Sequence, residues 1–209
     1  MREQTAPCCS NQMSQIIFRG FVEIIGQAGT NATFHLAGLT QSLDSDLLET
    51  HLKEPLTPEQ FSTLRYAVDQ LYGLRGGRGA SLRAGRAAFR YLLRDFGEKL
   101  GLSGMDFRLL PTRKRMNIGQ QHLSSLLADE FRNTINLHED DTAWFWEVNS
   151  CQECLGQKRT ETECTFMVGL LQEFFSWASG GKYFMVSETA CIACGAPSCT
   201  FRIDKKPVE

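Results

Sequence analysis

The chain lacks a long apolar run, an excess of charge of one sign and any abundance of proline. A membrane helix needs about 20 consecutive apolar residues, whereas the longest apolar stretches, such as 16–18, are soon interrupted by Arg, Gly or Glu. The 209 residues include 6 prolines, and 22 Lys and Arg stand against 24 Asp and Glu. The charge balance argues against nucleic-acid binding. The N-terminus is polar and has no signal-peptide core, so we expect a cytoplasmic protein without a transmembrane segment.

Helical periodicity fills the N-terminal half. Apolar residues recur at helical spacing in four segments: 14–28, 57–72, 81–100 and 112–133. The clearest helix start is at Thr57, where Pro58 takes the first helical position and Gln60 the third. The glycines within 76–79 predict a turn between the second and third helices.

The pattern changes after residue 132. Four segments are rich in aromatic and β-branched residues and read as strands: 135–139, 142–148, 182–188 and 199–203. A helix over 162–179 separates the two pairs of strands. The sequence therefore predicts an α+β fold, in which a small antiparallel sheet packs with helices, with a helical N-terminal half and a strand-rich C-terminal half.

Cysteine is abundant, and six of the eight cysteines lie in the last third of the chain: Cys151, Cys154, Cys164, Cys191, Cys194 and Cys199. In an intracellular chain, clustered thiols indicate metal binding or redox chemistry rather than disulfides. One grouping joins the two CxxC pairs, 151–154 and 191–194, into a four-thiolate zinc site. The same thiolates would also suit an iron–sulfur cluster.

A second grouping combines three thiols with a carboxylate. Glu188 ends one predicted strand and Cys199 begins its neighbour, so a hairpin brings them together. Cys191 follows Glu188 closely, and Cys164 lies at the start of the preceding helix. These four residues would form a closed structural zinc site, because a carboxylate oxygen is an accepted zinc ligand. Cys191 belongs to both groupings, so both cannot be complete at once.

A longer motif in this region resembles a known family. It reads Cys164-x4-Gly169, then Glu188-Thr-Ala-Cys191-x-Ala-Cys-Gly195-x3-Cys199-x-Phe-x-Ile203. It is similar to the signature of the 4-vinyl reductase domain, a ligand-binding module related to the sensor domains of aromatic-responsive activators and distantly to TRAPP subunits. Residues 72–86 resemble the helical half of the same domain.

The resemblance implies a structural zinc ion on one set of four ligands: Cys164, Glu188, Cys191 and Cys199. The cysteines that depart from the family pattern form the alternative set: Cys151, Cys154 and Cys194. The resemblance also implies a division of the chain into a flexible tail at 1–13, a helical extension at 14–59, the family domain at 60–204 and a short tail at 205–209.

The extension carries apolar residues around most of its circumference. A helix of this kind needs a second apolar surface, and we expect another copy of the chain to provide it. The prediction is a homodimer with Phe18, Phe21 and Ile25 in or near its interface.

Aromatic residues concentrate between 144 and 184, and we expect some of them to line a ligand pocket with one arginine: Trp144, Trp146, Phe166, Phe174 and Arg86. The arginine belongs to a basic segment, 75–115, in which eleven Lys and Arg stand against three acidic residues. That segment is either a solvent-exposed face or a binding site for an anionic group.

The sequence has no nucleophilic triad, dinucleotide fingerprint or paired catalytic carboxylates, so we expect no enzyme activity. The expected function is a zinc-braced module for a small hydrophobic or aromatic molecule, acting as sensor or carrier through a separate, unidentified partner protein. The resemblance makes a tetrapyrrole or its precursor one candidate ligand. The alternatives are a scaffold or assembly factor of a photosynthetic or other complex, and an iron–sulfur redox sensor.

Overall fold

The computed structural model describes residues 9–40, 43–44 and 51–208, so most of the predicted N-terminal tail lies outside the described residues. These residues form five α-helices: α1 Asn11–Leu36, α2 Pro58–Phe96, α3 Met105–Arg108, α4 Thr112–Phe131 and α5 Thr165–Ser179. They also form six strands: β1 Leu43–Asp44, β2 His51–Leu52, β3 Ile135–Glu139, β4 Ala143–Val148, β5 Val186–Ala190 and β6 Cys199–Asp204. The predicted α+β class is confirmed. None of the described helices combines the length and apolar character that a membrane crossing requires.

Helices α1 and α2 each fold back on themselves at a glycine. Gly26 and Gly73 have φ values of 70° and 72°, in the left-handed region that glycine adopts without a steric penalty. The rings of Phe18 and Phe34 meet edge to face with centroids 5.6 Å apart, although a straight helix would separate these residues by about 24 Å. Each helix is therefore a pair of segments joined by a sharp bend.

The glycine-rich segment 76–79 is helical, so the predicted turn is wrong. Helix α2 resumes directly after Gly73 and continues to Phe96. A Cβ atom on Gly77 would lie 2.6 Å from the Cα atom of Asp69. Glycine at this position lets the two segments of α2 approach each other closely, and the chain reverses at Gly73 instead.

The second segment of α2 lies between α1 and α5, and glycine residues stand where these helices cross. A Cβ atom on Gly20 of α1 would lie 2.6 Å from the carbonyl oxygen of Ala84. A Cβ atom on Gly85 would overlap the carbonyl oxygen of Phe166 in α5. The three helices form one closely packed layer, in which even a methyl group at these glycines requires a shift of backbone.

The apolar residues of α1 are covered by the chain itself. Phe18 and Phe21 are 2% and 1% exposed, and Phe21 stacks on Phe166 with ring centroids 5.7 Å apart. Ile25 is partly buried against the same core. The inference that these side chains need an external surface is wrong for Phe18 and Phe21, because α2 and α5 already cover them. The homodimer itself stays a prediction.

The main sheet has the order β3-β4-β6-β5, and neighbouring strands run antiparallel. The two predicted pairs of strands are present, although β5 begins at Val186, four residues later than expected. The pairing of β4 with β6 joins the two hairpins, and its register places Val148 opposite Cys199. The end of β4 therefore meets the beginning of β6, and the 151–154 segment emerges at that point.

Candidate metal centre and adjoining cavity

Five buried thiols converge where β4 ends and where α5 and β6 begin: Cys151, Cys154, Cys164, Cys191 and Cys199. The first two flank a short 3₁₀ helix that follows β4, and we call residues 151–154 the knuckle. Cys164 is the N-cap residue of α5, and Cys191 precedes a 3₁₀ turn after β5. The cluster thus joins the helical layer to the sheet.

The sulfur atoms lie at distances that suit tetrahedral coordination of zinc. Cys164 is 3.5 Å from Cys151, 3.8 Å from Cys199 and 4.0 Å from Cys191, sulfur to sulfur. Cys199 is 3.5 Å from Cys154 and 3.9 Å from Cys191. Four sulfurs bound to one zinc ion lie about 3.8 Å apart, given Zn–S bonds of ~2.3 Å and tetrahedral angles. The donor set therefore fits zinc.

Two groups of four ligand atoms overlap in the cluster, each with its atoms within 4.8 Å of one another: Cys164, Glu188, Cys191 and Cys199, and Cys151, Cys154, Cys164 and Cys199. The structure thus brings together the four ligands that the sequence favoured. Cys194 is exposed and lies in neither group, so the two CxxC pairs do not meet as one site. The sequence reasoning missed the combination of the knuckle with Cys164 and Cys199.

Glu188 presents one carboxylate oxygen to the cluster. Its Oε2 atom accepts a hydrogen bond from the Cys164 N–H at 2.8 Å. Its Oε1 atom is buried and has no hydrogen-bond partner among the described residues. Burial raises the pKa of Glu188 to about 8, while the hydrogen bond from Cys164 acts in the opposite direction. A neighbouring divalent ion would favour the ionised carboxylate and would occupy the unpaired oxygen.

Glu153, inside the knuckle, caps the N-terminus of α5. Its carboxylate accepts hydrogen bonds from the Phe166 N–H at 2.8 Å and the Met167 N–H at 3.0 Å. The Nε atom of Arg65 lies 3.4 Å from the same carboxylate. Burial raises the pKa of Glu153 to about 8, and Arg65 and the two amides oppose that shift. The knuckle is thereby fixed to the first turn of α5.

An apolar cavity of about 30 Å³ adjoins the knuckle. Its wall includes side chains from four helices and from the sheet; examples are Met13, Ile16 and Ile17 of α1, Leu92 of α2, Phe131 of α4, Leu170 of α5 and Val148 of β4. Cys151 and Glu153 line the same cavity. Cavity and cysteine cluster therefore share a wall, formed by the knuckle.

Asn133 places a polar atom in this apolar wall. It lines the cavity, and its Nδ2 atom donates to the Ser150 carbonyl oxygen at 3.3 Å. Its Oδ1 atom is buried and has no hydrogen-bond partner among the described residues. An unpaired buried acceptor is costly, and it would be satisfied by a hydroxyl or N–H donor in the cavity.

Of the predicted pocket residues, Phe166 lines the cavity. Trp146 and Phe174 are fully buried in the core. Trp144 lies at a separate surface cleft beside Lys205. Arg86 pairs on the surface with a glutamate of α5 at 2.8 Å. The structure therefore does not assemble these five residues into one pocket, and the cavity is lined instead by other residues, among them Met13, Ile16 and Ile17 of α1.

Four of the eleven basic residues in the segment 75–115 form ion pairs within the chain: Arg78, Arg86, Arg90 and Arg94. Arg90 contacts Glu23 at 2.6 Å and Glu173 at 3.2 Å, and Arg78 contacts Glu161 at 2.9 Å. Such partly exposed pairs contribute little to stability. They neutralise part of the local positive charge that the sequence shows.

No protein-family model and no curated protein matches this sequence. Solved structures do match. The phenol-responsive sensory domain of the transcription activator PoxR, with phenol, is 20% identical and has a TM-score of 0.52, with 83% of this chain and 90% of that chain covered. This chain has the same fold as that sensory domain. At this identity, the likeness shows the fold alone.

The same fold occurs in H-NOX proteins. An S. oneidensis H-NOX mutant in the Fe(II) state is 12% identical, with a TM-score of 0.60 over 95% of this chain and 97% of that chain. The unliganded Fe(II) H-NOX protein from K. algicida is 14% identical, with a TM-score of 0.55 over 94% and 97%.

The likeness to H-NOX proteins raises the question of whether this chain could hold a haem. The described residues do not fit one. The cavity between the helices and the sheet holds about 30 Å³, far less than a porphyrin requires. Of the histidines whose side chains the structure describes, His35, His122 and His138 are exposed and lie outside the cavity wall.

Proposed function

We propose that the chain is a non-enzymatic sensor or carrier module that binds a small apolar molecule in the cavity beside the knuckle and is braced by zinc at the cysteine cluster. One observation carries the proposal. Cys151 lines the cavity, and its sulfur lies 3.5 Å from that of Cys164 inside the cluster. A molecule that enters the cavity therefore contacts a metal ligand, and its binding can change the coordination of the metal in the cluster.

The size of the cavity limits the ligand to a single ring at most. An engineered apolar cavity of about 150 Å³ binds benzene, and the cavity here is about 30 Å³, so the wall must move outward to admit a ring. Helix α1, which contributes Met13, Ile16 and Ile17, is the element we expect to move. A tetrapyrrole, which the resemblance to the 4-vinyl reductase domain suggests, is much larger than this space.

The free Asn133 acceptor favours a ligand that carries one hydrogen-bond donor. A ring without a donor leaves this oxygen unpaired, as it already is among the described residues. A hydroxylated ring exchanges a hydrogen bond to water for one to Asn133, a net gain of about 0.5–1.5 kcal/mol, and should bind roughly 2- to 13-fold more tightly than the hydrocarbon of the same shape. The phenol held by the structurally similar PoxR domain supports this class of ligand.

Calorimetric titration of phenol and toluene into the zinc-loaded chain tests the proposal. We expect phenol to bind more tightly than toluene, and Asn133→Leu to remove that difference while both rings still bind. Asn136→Leu, at an exposed position of β3, is the matched control and should keep the difference. Failure of both rings to bind at millimolar concentration would contradict the proposal. Phenol recovered unchanged after incubation is expected of a module without enzyme activity.

We propose zinc rather than an iron–sulfur cluster at the cysteines. The sulfur–sulfur distances of 3.5–4.0 Å match the edges of a tetrahedron around one ion, whereas a cluster places several iron and sulfide atoms between its thiolates. Metal analysis should find zinc and no visible absorption. A brown protein that contains iron and acid-labile sulfide would overturn this assignment.

We further propose that a protein partner or a second copy of the chain covers the bend of α2. Leu71, Tyr72 and Leu74, beside Gly73, are 42%, 40% and 50% exposed, which is unusual for adjacent large apolar residues. Light scattering on the intact chain tests the homodimer. A dimer should dissociate in Leu74→Asp and persist in Met105→Asp, a control at an exposed residue of α3. A monomer at micromolar concentration would exclude the homodimer and leave the partner protein.

A further inference from the structure

We propose that the cysteine cluster is a binuclear site, in which two divalent ions of the zinc class are bridged by the thiolates of Cys164 and Cys199. Cys151 and Cys154 complete the coordination of the first ion. Glu188 and Cys191 complete that of the second. The inference rests on the proposed metal binding but goes beyond a single bracing ion.

The overlap of the two ligand groups carries the inference. Each group has four ligand atoms within 4.8 Å of one another, and the groups share two members, Cys164 and Cys199. Each ion therefore receives two ligands of its own and two bridging thiolates, which is the four-coordination that zinc prefers. The shared sulfurs are 3.8 Å apart, and each also lies 3.5 Å from a knuckle sulfur.

The charge of the cluster is compatible with two ions. The cluster buries five thiols and one largely buried carboxylate, and all six groups are anionic when they bind metal. Two divalent ions leave a net charge of about −2, the same as one zinc ion with four thiolates. A single ion would leave two of the six groups without a metal, and these would remain neutral by keeping their protons.

The second group carries an unpaired ligand atom, and the first group is positioned by a buried carboxylate. In the second group, the Oε1 atom of Glu188 is buried without a hydrogen-bond partner among the described residues. In the first group, the knuckle is held against the cluster by Glu153, whose carboxylate is already satisfied by the first turn of α5. Cys151 lies 3.5 Å from Cys164 and Cys154 lies 3.5 Å from Cys199, sulfur to sulfur, so both knuckle sulfurs face the shared thiols.

Metal content per chain tests the inference. The zinc-reconstituted full-length protein should contain two zinc ions per chain, by elemental analysis and by native mass spectrometry. Cys151→Ala/Cys154→Ala should contain one, and Glu188→Ala/Cys191→Ala should also contain one. Cys194→Ala, at the exposed cysteine outside both groups, is the control and should keep two.

A measurement on the unaltered protein tests the inference even if the variants fail to fold. Loaded with ¹¹³Cd, the chain should show two ¹¹³Cd resonances that are scalar-coupled to each other through the shared thiolates. One ion per chain would overturn the binuclear site and leave the single zinc brace intact. Two resonances without coupling would overturn the bridging. No bound metal would overturn the zinc brace as well.

Discussion

The sulfur atoms of Cys164 and Cys199 lie 3.8 Å apart, which joins the N-cap of α5 to the first residue of β6. Both residues belong to each of the two four-ligand groups. A metal ion at either group therefore links the helix that packs on α2 to a central strand of the sheet. This contact between layers is the structural role that we assign to the cluster.

Replacing Cys199 with serine should remove the metal and destabilise the chain, because the free energy of binding metal is part of the free energy of folding. We expect a loss of about 4 kcal/mol or more, which lowers the melting temperature by at least roughly 8 °C in a chain of this size. Calorimetry and metal analysis measure both effects. Cys194→Ser should change neither. A Cys199→Ser protein with its full metal content and melting temperature would rule out both four-ligand groups.

Replacing Glu153 with alanine should be costly even though this residue is not a metal ligand. The change leaves two N–H groups of α5 without their acceptor and removes a carboxylate from the buried Arg65. Arg65 keeps Asp69 at 2.6 Å, so the main cost is that of the buried N–H groups left unpaired, about 1–3 kcal/mol each. Glu161→Ala is the control. It removes an exposed partner of Arg78 and should cost less than about 1 kcal/mol in chemical denaturation.

Local signals in the sequence predicted much of the fold. The helix start at Thr57 is confirmed by a capping box between Thr57 and Gln60, because all of its hydrogen bonds lie within four residues. Helices α4 and α5 and the antiparallel strand pairs are likewise confirmed. In each of these elements the spacing of the apolar residues indicates which face is buried, and residues close in sequence are sufficient to define that spacing.

What the sequence did not reveal depends on contacts between distant segments. The knuckle meets Cys199 because β4 pairs with β6 in a register that sets Val148 opposite Cys199, and no local pattern encodes that pairing. Gly77 suggests a turn when only the sequence is considered, but in the structure it lies in a helix and allows the close approach of Asp69. The wide apolar surface of α1 was assigned to a dimer, because its cover, α2 and α5, is remote in the chain.

The crossing of α2 and α5 should not tolerate a side chain at Gly85. A Cβ atom there would overlap the Phe166 carbonyl oxygen, and a backbone atom cannot rotate away. We expect Gly85→Ala to lower the free energy of unfolding by about 1–3 kcal/mol or more. Gly104→Ala is the control, since a Cβ atom at Gly104 meets nothing within 4 Å. Equal stability of the two variants would contradict the close packing.

Shortening Ile17 should enlarge the cavity and improve binding of a ring. Ile17→Ala removes part of the α1 wall and should cost about 2–5 kcal/mol in stability, while the affinity for phenol increases. Ile203→Ala, at a fully buried position of β6 away from the cavity wall, should cost a similar amount without any gain in affinity. Equal changes in phenol affinity in both variants would mean that the cavity is not where phenol binds.

The most direct test of the account is to locate phenol on the zinc-loaded chain by nuclear Overhauser effects. The account predicts contacts from the ring protons of phenol to the methyl groups of Ile16, Ile17 and Leu170, which line the cavity. It also predicts that binding shifts the Cys151 resonances, because this residue lines the cavity and belongs to the cluster. Contacts confined to other parts of the surface, or none at saturating phenol, would contradict the central claim.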